Sequence, residues 1–528
     1  MDSTQLKKFA DERFSEQSRV LNLWQSLAEN FYPERSDFTL SHSLGDELAD
    51  GLADSTPILI RRDLGNSFSA MLRDGQWFNM TTEEEPSHLA KKWLEFGTGR
   101  LLKLMEHRSA NFRRSTKEGD HDYATFGQNV MSIEPNKLRN GLLFRSWHLR
   151  DCAWWDDDTG QVGGLIRRWK PKYHELRTYF GDEKLHPNVT REIEKKLFSE
   201  LEVLHFDMPT TMFDFDDEAL NQFPFVSLFL DVKNHHIIDK VGKRFRSYIV
   251  PRFQTIAGSP YAYSPATVVG LPDARTLQAM THTLLEAGER HARPPIIATE
   301  NVIRGDANLY SDGITYVAED YDERLGASLR PLTQDAKGFP FGQDMRAGVV
   351  EILQAAFYVD KIDLPDKGGE MTAYEFSERM KQYRRNNLPL FSPLEHEYNG
   401  QMCEAAFNIA MEFNMLGSPH DVPRELQGRE VLFKFESPLT ESEEEKKVQL
   451  FSQVSNMLRD AAEFDQGVAL NIDFDVALRD SIEGIGAPMT WLAEVDEVKK
   501  KRDQLESEQV AMLQQEAAAE QPLEGVAA

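Results

Sequence analysis

The chain has 528 residues, 40% of them hydrophobic, which is enough for two to four domains with real cores and too apolar for a disordered protein. Its 60 Lys and Arg stand against 87 Asp and Glu, a net charge of −27. A surface that gains affinity by neutralising phosphates needs the opposite balance, so tight general DNA binding and docking to anionic membranes are both argued against, and any role at DNA is local or weak.

Two cysteines, Cys152 and Cys403, suit a reducing compartment and offer neither a disulfide framework nor a zinc spacing. The N-terminus, Met-Asp-Ser-Thr-Gln, shows no basic region followed by an apolar core, so no signal peptide is expected, and synthesis in a cytoplasm is. No run approaches the roughly 18 apolar residues of a membrane span.

In chain order, residues 4–32 read as an amphipathic helix carrying Phe9, Phe14, Val20, Leu23, Trp24, Leu27 and Phe31. Residues 40–51 form a polar connection. A second helix, Pro57 to Leu72, leads into the extended apolar piece Trp77-Phe78-Asn79-Met80. A third, Leu89 to Glu106, follows the acidic turn at Glu83 to Pro86. Tyr123 to Gln128 leads into a strand, Asn129 to Glu134.

Between Leu142 and Phe253 the period changes to that of strands: Leu143–Trp155, Leu165–Trp169, Leu201–Phe206, Val226–Val232 and Arg246–Val250, with a charged helix near Asn188–Phe198. Asp156-Asp157-Asp158-Thr159-Gly160 reads as a hairpin turn. Gly258 to Pro265 is a loop, and a helix follows from Ala266 to Ala292, ended by Arg293-Pro294-Pro295. Ile296 to Phe341 reads as short strands and loops inserted between two long helices.

The next stretch has the strongest local signals. Met345, Val349, Leu353, Ala356 and Phe357 make one apolar helical face that stops near Asp360. Lys361 to Glu370 is a polar loop with a Pro and a Gly pair. Thr372 then caps a long helix, Glu375 reaches back to it, and Met371 and Phe376 form a hydrophobic staple. Pro389 and Pro393 kink this helix, and Gly417 and Pro419 close it. Val431 to Phe435 is a strand, Ser437 to Ala462 and Phe474 to Gly484 are helices, and Thr490 to Ala519 is a helix with a thin apolar stripe that wants partners.

Several clusters were weighed for chemistry. Glu118-Gly119-Asp120-His121-Asp122 lacks a second His at ligand spacing and reads as a solvated turn. The Asp156 turn has Arg where a calcium loop needs its closing Glu. His235-His236 reads as an exposed pair. Neither a phosphate-loop motif nor a Gly-x-Ser-x-Gly elbow is present. Paired carboxylates in so acidic a chain keep one rival open, a soluble multidomain hydrolase. The small basic spots are Lys240, Lys243, Arg244, Arg246 and Arg252 around Phe245 and Phe253; Arg384-Arg385; and Lys361 with Lys367 on the loop, the best placed of them to meet DNA.

Taken in order, these pieces resemble the portal, or head-to-tail connector, proteins of short-tailed bacteriophages. The residues that carry the likeness are Leu64-Gly65-Asn66-Ser67-Phe68 with Met71-Leu72 ahead of Trp77-Phe78, Phe126-Gly127 before a strand, and Arg252-Phe253 followed by Ser259-Pro260-Tyr261-Ala262-Tyr263-Ser264-Pro265. They continue with Asp273-Ala274 and Leu277, Pro294-Pro295, Arg330-Pro331-Leu332, Met371-Thr372-Ala373-Tyr374-Glu375, Leu388-Pro389 and Pro393-Leu394. Two departures are Ala262, where the family usually has Gly, and Tyr374, where it usually has Thr.

The resemblance implies an α+β, mainly helical subunit. Residues 1–265 would be the wing, 266–295 and 341–360 the stem helices, and 296–340 the clip. Residues 361–371 would be the tunnel loop, 372–489 a long kinked helix and more wing, and 490–528 a crown helix and tail. It implies a ring, usually a dodecamer, at one capsid vertex, acting in genome packaging, ejection and head-tail joining. It implies no catalysis and no cofactor. The implied partners are the terminase large subunit, the major capsid and scaffolding proteins, a tail adaptor, and double-stranded DNA passing non-specifically with Lys361 and Lys367 facing it.

Overall fold

A computed structural model describes residues 1–298 apart from 44, 50, 85, 194 and 214–217, short pieces between 303 and 332, and residues 338–359, 394–435, 443–462, 472–484, 491–493 and 495–519. The fold is α+β and mainly helical, as expected of a portal-type subunit. The chain divides into two compact units: residues 1–69, 113–133 and 144–398, and residues 70–112, 134–143 and 399–528.

The first unit is organised by helix α1 (Ser3–Phe31) and an antiparallel sheet. Asp2 and Gln5 close a capping box at the start of α1. The helix turns Leu6, Ala10 and Phe14 onto one face of the sheet β4 (Cys152–Asp156), β5 (Val162–Trp169), β6 (Val203–Pro209), β7 (Phe225–Asp231) and β8 (His236–Lys243), whose strands are neighbours in that order. There they meet Ala153, Ile166, Leu204, Phe206 and Leu228. Helices α5 (Tyr173–Phe180) and α6 (Pro187–Ile193) cover another part of the sheet through Leu176, Phe180 and Val189 against Val203 and Ile238. Both polar side chains buried on α1 are satisfied: Gln17 donates to the carbonyls of Leu149 and Cys152, and Gln25 accepts from the amides of Phe38 and Thr39.

The expected single strand from Leu143 to Trp155 is two. A 3-10 turn at Leu149–Asp151 separates β3 (Leu142–Trp147), which lies beside β2 (Val130–Pro135), from β4. His148 caps that turn, and the Arg150 guanidinium is held by the backbone and carboxylate of Asp37. Tertiary hydrogen bonds here override an unbroken apolar pattern. The two-residue strand β9 (Tyr248–Ile249) pairs with β2 at Ser132 and Met131.

Helix α2 (Thr56–Leu72) and helix α4 (Phe112–Phe126) supply the rest of this core. The Glu118–Asp122 cluster is not a solvated turn. It lies on α4, with Asp120, His121 and Asp122 all buried. Their charge is matched from distant segments, which periodicity does not reveal. Asp122 takes a two-pronged hydrogen bond from Arg35, and the His121 Nδ1 faces the Arg61 guanidinium at 3.2 Å. Arg61 also donates to the Phe31 carbonyl and lies 4.0 Å over the Tyr32 ring. A Cβ on Gly65 would come within 2.3 Å of His121, so the glycine of the Leu-Gly-Asn-Ser-Phe stretch is the space that the imidazole fills.

In the second unit, β1 (Phe78–Thr81) pairs antiparallel with β12 (Leu432–Phe435) from 350 positions along, Phe78 opposite Phe435. Trp77 stacks on Phe435 at 6.2 Å. Helix α3 (His88–Met105) lies on this ribbon, with Thr98 accepting from the Met80 amide. Helix α11 (Gln401–Glu412) packs on α3, α12 (Glu443–Ala462) on α13 (Phe474–Gly484), and α14 (Val495–Ala519) follows.

Candidate functional site

The site is a helical hairpin rather than a pocket. After one π-helical turn at Ala266–Gly270, α9 (Leu271–Ala292) runs out, and α10 (Gly338–Ala356) returns beside it. Their contacts fix an antiparallel register: Gly270 abuts Phe357, Thr281 meets Arg346, and Gly342 abuts Leu284. Between them, β10 (Ile296–Ala298) and β11 (Leu329–Pro331) form a short antiparallel ribbon with Ile297 opposite Arg330.

Burial is graded along the hairpin. At its base, Ala266, Gly270, Leu271, Ala274 and Leu277 of one strand of the hairpin and Leu353 and Phe357 of the other are buried, and Phe357 packs on Phe31 at 5.3 Å. Farther out, no described residue of either helix is buried. Val268, Val269 and Leu285, and Phe341, Met345 and Ile352 across from them, are exposed, Phe341 to 67%. An apolar stripe of this extent on a projecting hairpin is the composition of a surface that other chains cover.

A polar clamp fixes the hairpin to its own subunit. The buried Asp54 carboxylate accepts from Thr56, from Thr281 on α9, and from two nitrogens of Arg346 on α10, the shorter at 2.6 Å. Gln278 completes it, accepting from the amides of Ala53 and Asp54 and donating to the Asp54 carbonyl. Burial pushes the Asp54 carboxyl up, but the hydrogen bonds from Thr56, Arg346 and Thr281 outweigh it and hold the group below the usual carboxylate range.

The loop ahead of α9 is equally determined. A Cβ on Gly127, whose φ is +75°, would lie 2.5 Å from the Tyr263 carbonyl carbon, so only glycine fits. The Gln128 side chain accepts from the Ala262 amide, Ser264 donates to the Thr125 carbonyl, and the Trp154 indole donates to the Pro260 carbonyl. The Phe-Gly and Ser-Pro-Tyr motifs are thus two halves of one joint at the root of the hairpin.

The other basic candidates are spent within the subunit. Arg252 is buried and donates to Asp156, Glu397 and the Gly160 carbonyl, which pins the triple-Asp turn. Arg246 lies 3.8 Å from Asp157, and Lys243 bonds Ser247. Arg244 and Lys240 are exposed. His235 is exposed and the half-buried His236 bonds the Lys184 carbonyl, so that pair is only partly on the surface. Lys361, Lys367, the Thr372 cap and Arg384-Arg385 lie outside the described residues. The clamp residues Asp54, Gln278, Thr281 and Arg346 were not singled out by sequence. They lie on three separate segments, and nothing in local pattern joins them.

These features define a structural subunit whose projecting, apolar-striped hairpin is anchored on a mixed α/β body. The family profile described as "Bacteriophage head to tail connecting protein" matches residues 3–492, nearly the whole chain. The protein belongs to that family, and its role is that of a head-to-tail connector in a phage particle. A comparison with curated proteins finds no match. Among solved structures, the chain is similar to one from "Virion of native gene transfer agent (GTA) particle", with a TM-score of 0.37 and 9% identity over 76% of this chain and 86% of that one. No described helix is long and apolar enough to cross a membrane.

Proposed function

We propose that copies of this chain close into a ring, a dodecamer, at one vertex of the capsid, and that double-stranded DNA enters through the axial hole during packaging and leaves through it on ejection. Family membership over residues 3–492 supports the connector role, and the buried base and apolar outer stripe of the α9–α10 hairpin support the ring. Heterologous contacts between identical chains close into a ring when the rotation between neighbours divides the circle.

In this reading the hairpin is the stem, residues 296–340 are the clip that meets the terminase large subunit and later the tail adaptor, and residues 1–265 with 372–489 form the wing toward the major capsid and scaffolding proteins. Residues 490–528 are the crown. The net charge of −27 suits a channel that must not grip its cargo, since few neutralised phosphates mean little counterion release. The carboxylates a hydrolase would need are engaged elsewhere, Asp54 with Arg346, Asp122 with Arg35, and Asp156 and Glu397 with Arg252.

Lys361 and Lys367 are the residues proposed to face DNA. With both replaced by Ala, particles should assemble with a connector of unchanged size but package or retain less DNA. Loss of assembly instead would show that the loop holds subunits together.

A further inference from the structure

Helix α3 carries a second apolar face that its own unit does not cover. Leu94, Leu101 and Met105 point into the core, yet Leu89 and Phe96 are each 57% exposed. Together with Trp93 and the segment His420–Arg424 they line a groove of about 780 Å³. Its far end is cationic. Arg100 and Lys103 line both this groove and an adjoining hollow, with Lys92 and Arg424 on the rim against Glu95 and Asp421. Gly99 lies in the groove with nothing within 4 Å of where a Cβ would stand. Glycine is the poorest helix former after proline, and no contact within this chain explains it there. Close approach of another helix would.

The same unit presents a complementary face. Helix α12 half-buries Phe451, Val454 and Leu458, and packs on α13. Leu450 and Met457, two turns apart on its edge, are 57% and 69% exposed. Leu89 and Phe96 are also seven residues apart, and both pairs span about 10 Å of helix. Antiparallel, with Leu450 level with Phe96 and Met457 level with Leu89, the α12 N-terminus comes level with Lys103. The sequence there is acidic, Glu441 and Glu443-Glu444-Glu445. Apolar meets apolar and acid meets base in one register, the pattern of a helix seated in a groove.

We propose that the α3 groove of each copy seats helix α12 of a neighbouring copy in this antiparallel register, which adds a contact between subunits apart from the α9–α10 hairpin. It rests on the ring reading above. Two different patches, groove and helix, make a heterologous contact, which propagates around a ring and is not satisfied in a two-fold dimer.

The test uses the full chain. Phe96→Asp should lower the assembled fraction at least tenfold, while Phe96→Leu leaves it near the unsubstituted value. Lys103→Glu should weaken assembly, and Glu443→Lys in the same chain should restore it. Cys152 and Cys403 are buried, so a disulfide screen has little background. Chains carrying only Phe96→Cys, co-assembled with chains carrying only Leu450→Cys, should give a reducible two-chain band. Rings of Phe96→Asp that form as readily as the unsubstituted ones, without that band, overturn the proposal. So does a link formed only inside one doubly substituted chain, since the groove's occupant would then be its own helix. Absence of rings from the unsubstituted chain would instead overturn the ring reading and this contact with it.

Discussion

Buried charge sets the behaviour of single residues. Burial and the neighbouring Arg61 charge push His121 down to about 4, from an ordinary 6.5. The folded chain therefore refuses a proton that the unfolded chain accepts once the pH drops below 6.5. Stability is lost as pH falls from 6.5 toward 4, by up to about 3 kcal/mol from this one group. His121→Asn keeps an acceptor for Arg61 but has nothing to titrate. Urea unfolding between pH 7 and 4.5 should show a shallower decline for the variant, and parallel declines would contradict the role given to His121. Arg252 is the complementary case. Burial raises the Asp156 and Glu397 carboxyls, and Arg252 only partly offsets it. Arg252→Met leaves two carboxylates without their cation and should destabilise by roughly 3 kcal/mol at neutral pH. The deficit should shrink as the pH falls and both carboxyls take protons. A deficit independent of pH would mean that packing, not charge, is what Arg252 contributes.

At the scale of elements, the hairpin depends on Asp54. Asp54→Asn removes the charge that three donors converge on, and leaves Arg346 with a neutral partner. Hydrogen bonds to charged groups contribute about 1.5–3 kcal/mol, so amides of α10 around Arg346 should exchange at least tenfold faster. Exchange should stay unchanged in β4–β8. If α10 exchanges as before, the buried base alone holds the hairpin. Much of this architecture was legible in sequence. Helices α1, α2, α3 and α9 run within two residues of where their apolar spacing and caps put them, apart from the π turn that opens the last. Spacing failed where a distant segment decides. Tyr123 to Phe126 is helix because Gly127, held against Tyr263, ends α4 only there. The Asp120–Asp122 run is buried because Arg35 and Arg61 come from other segments to meet it. The pairing of β1 with β12 and the Asp54 clamp are likewise contacts between residues hundreds of positions apart, and no local pattern encodes them.

For the whole molecule, no reactive constellation in the sequence carries the function. What was legible was the order of several weak motifs, and the structure gives two of them a physical reason, the Phe-Gly and Ser-Pro-Tyr joint and the Gly65–His121 contact. The central claim is that this chain works as one wedge of a closed ring. The most direct test is native mass measurement of the purified full chain combined with negative-stain imaging. The expected result is a single assembly, a whole multiple of the chain mass, seen end-on as rings with an axial hole. A monomer or dimer at every concentration tested, with no ring in any image, would contradict it.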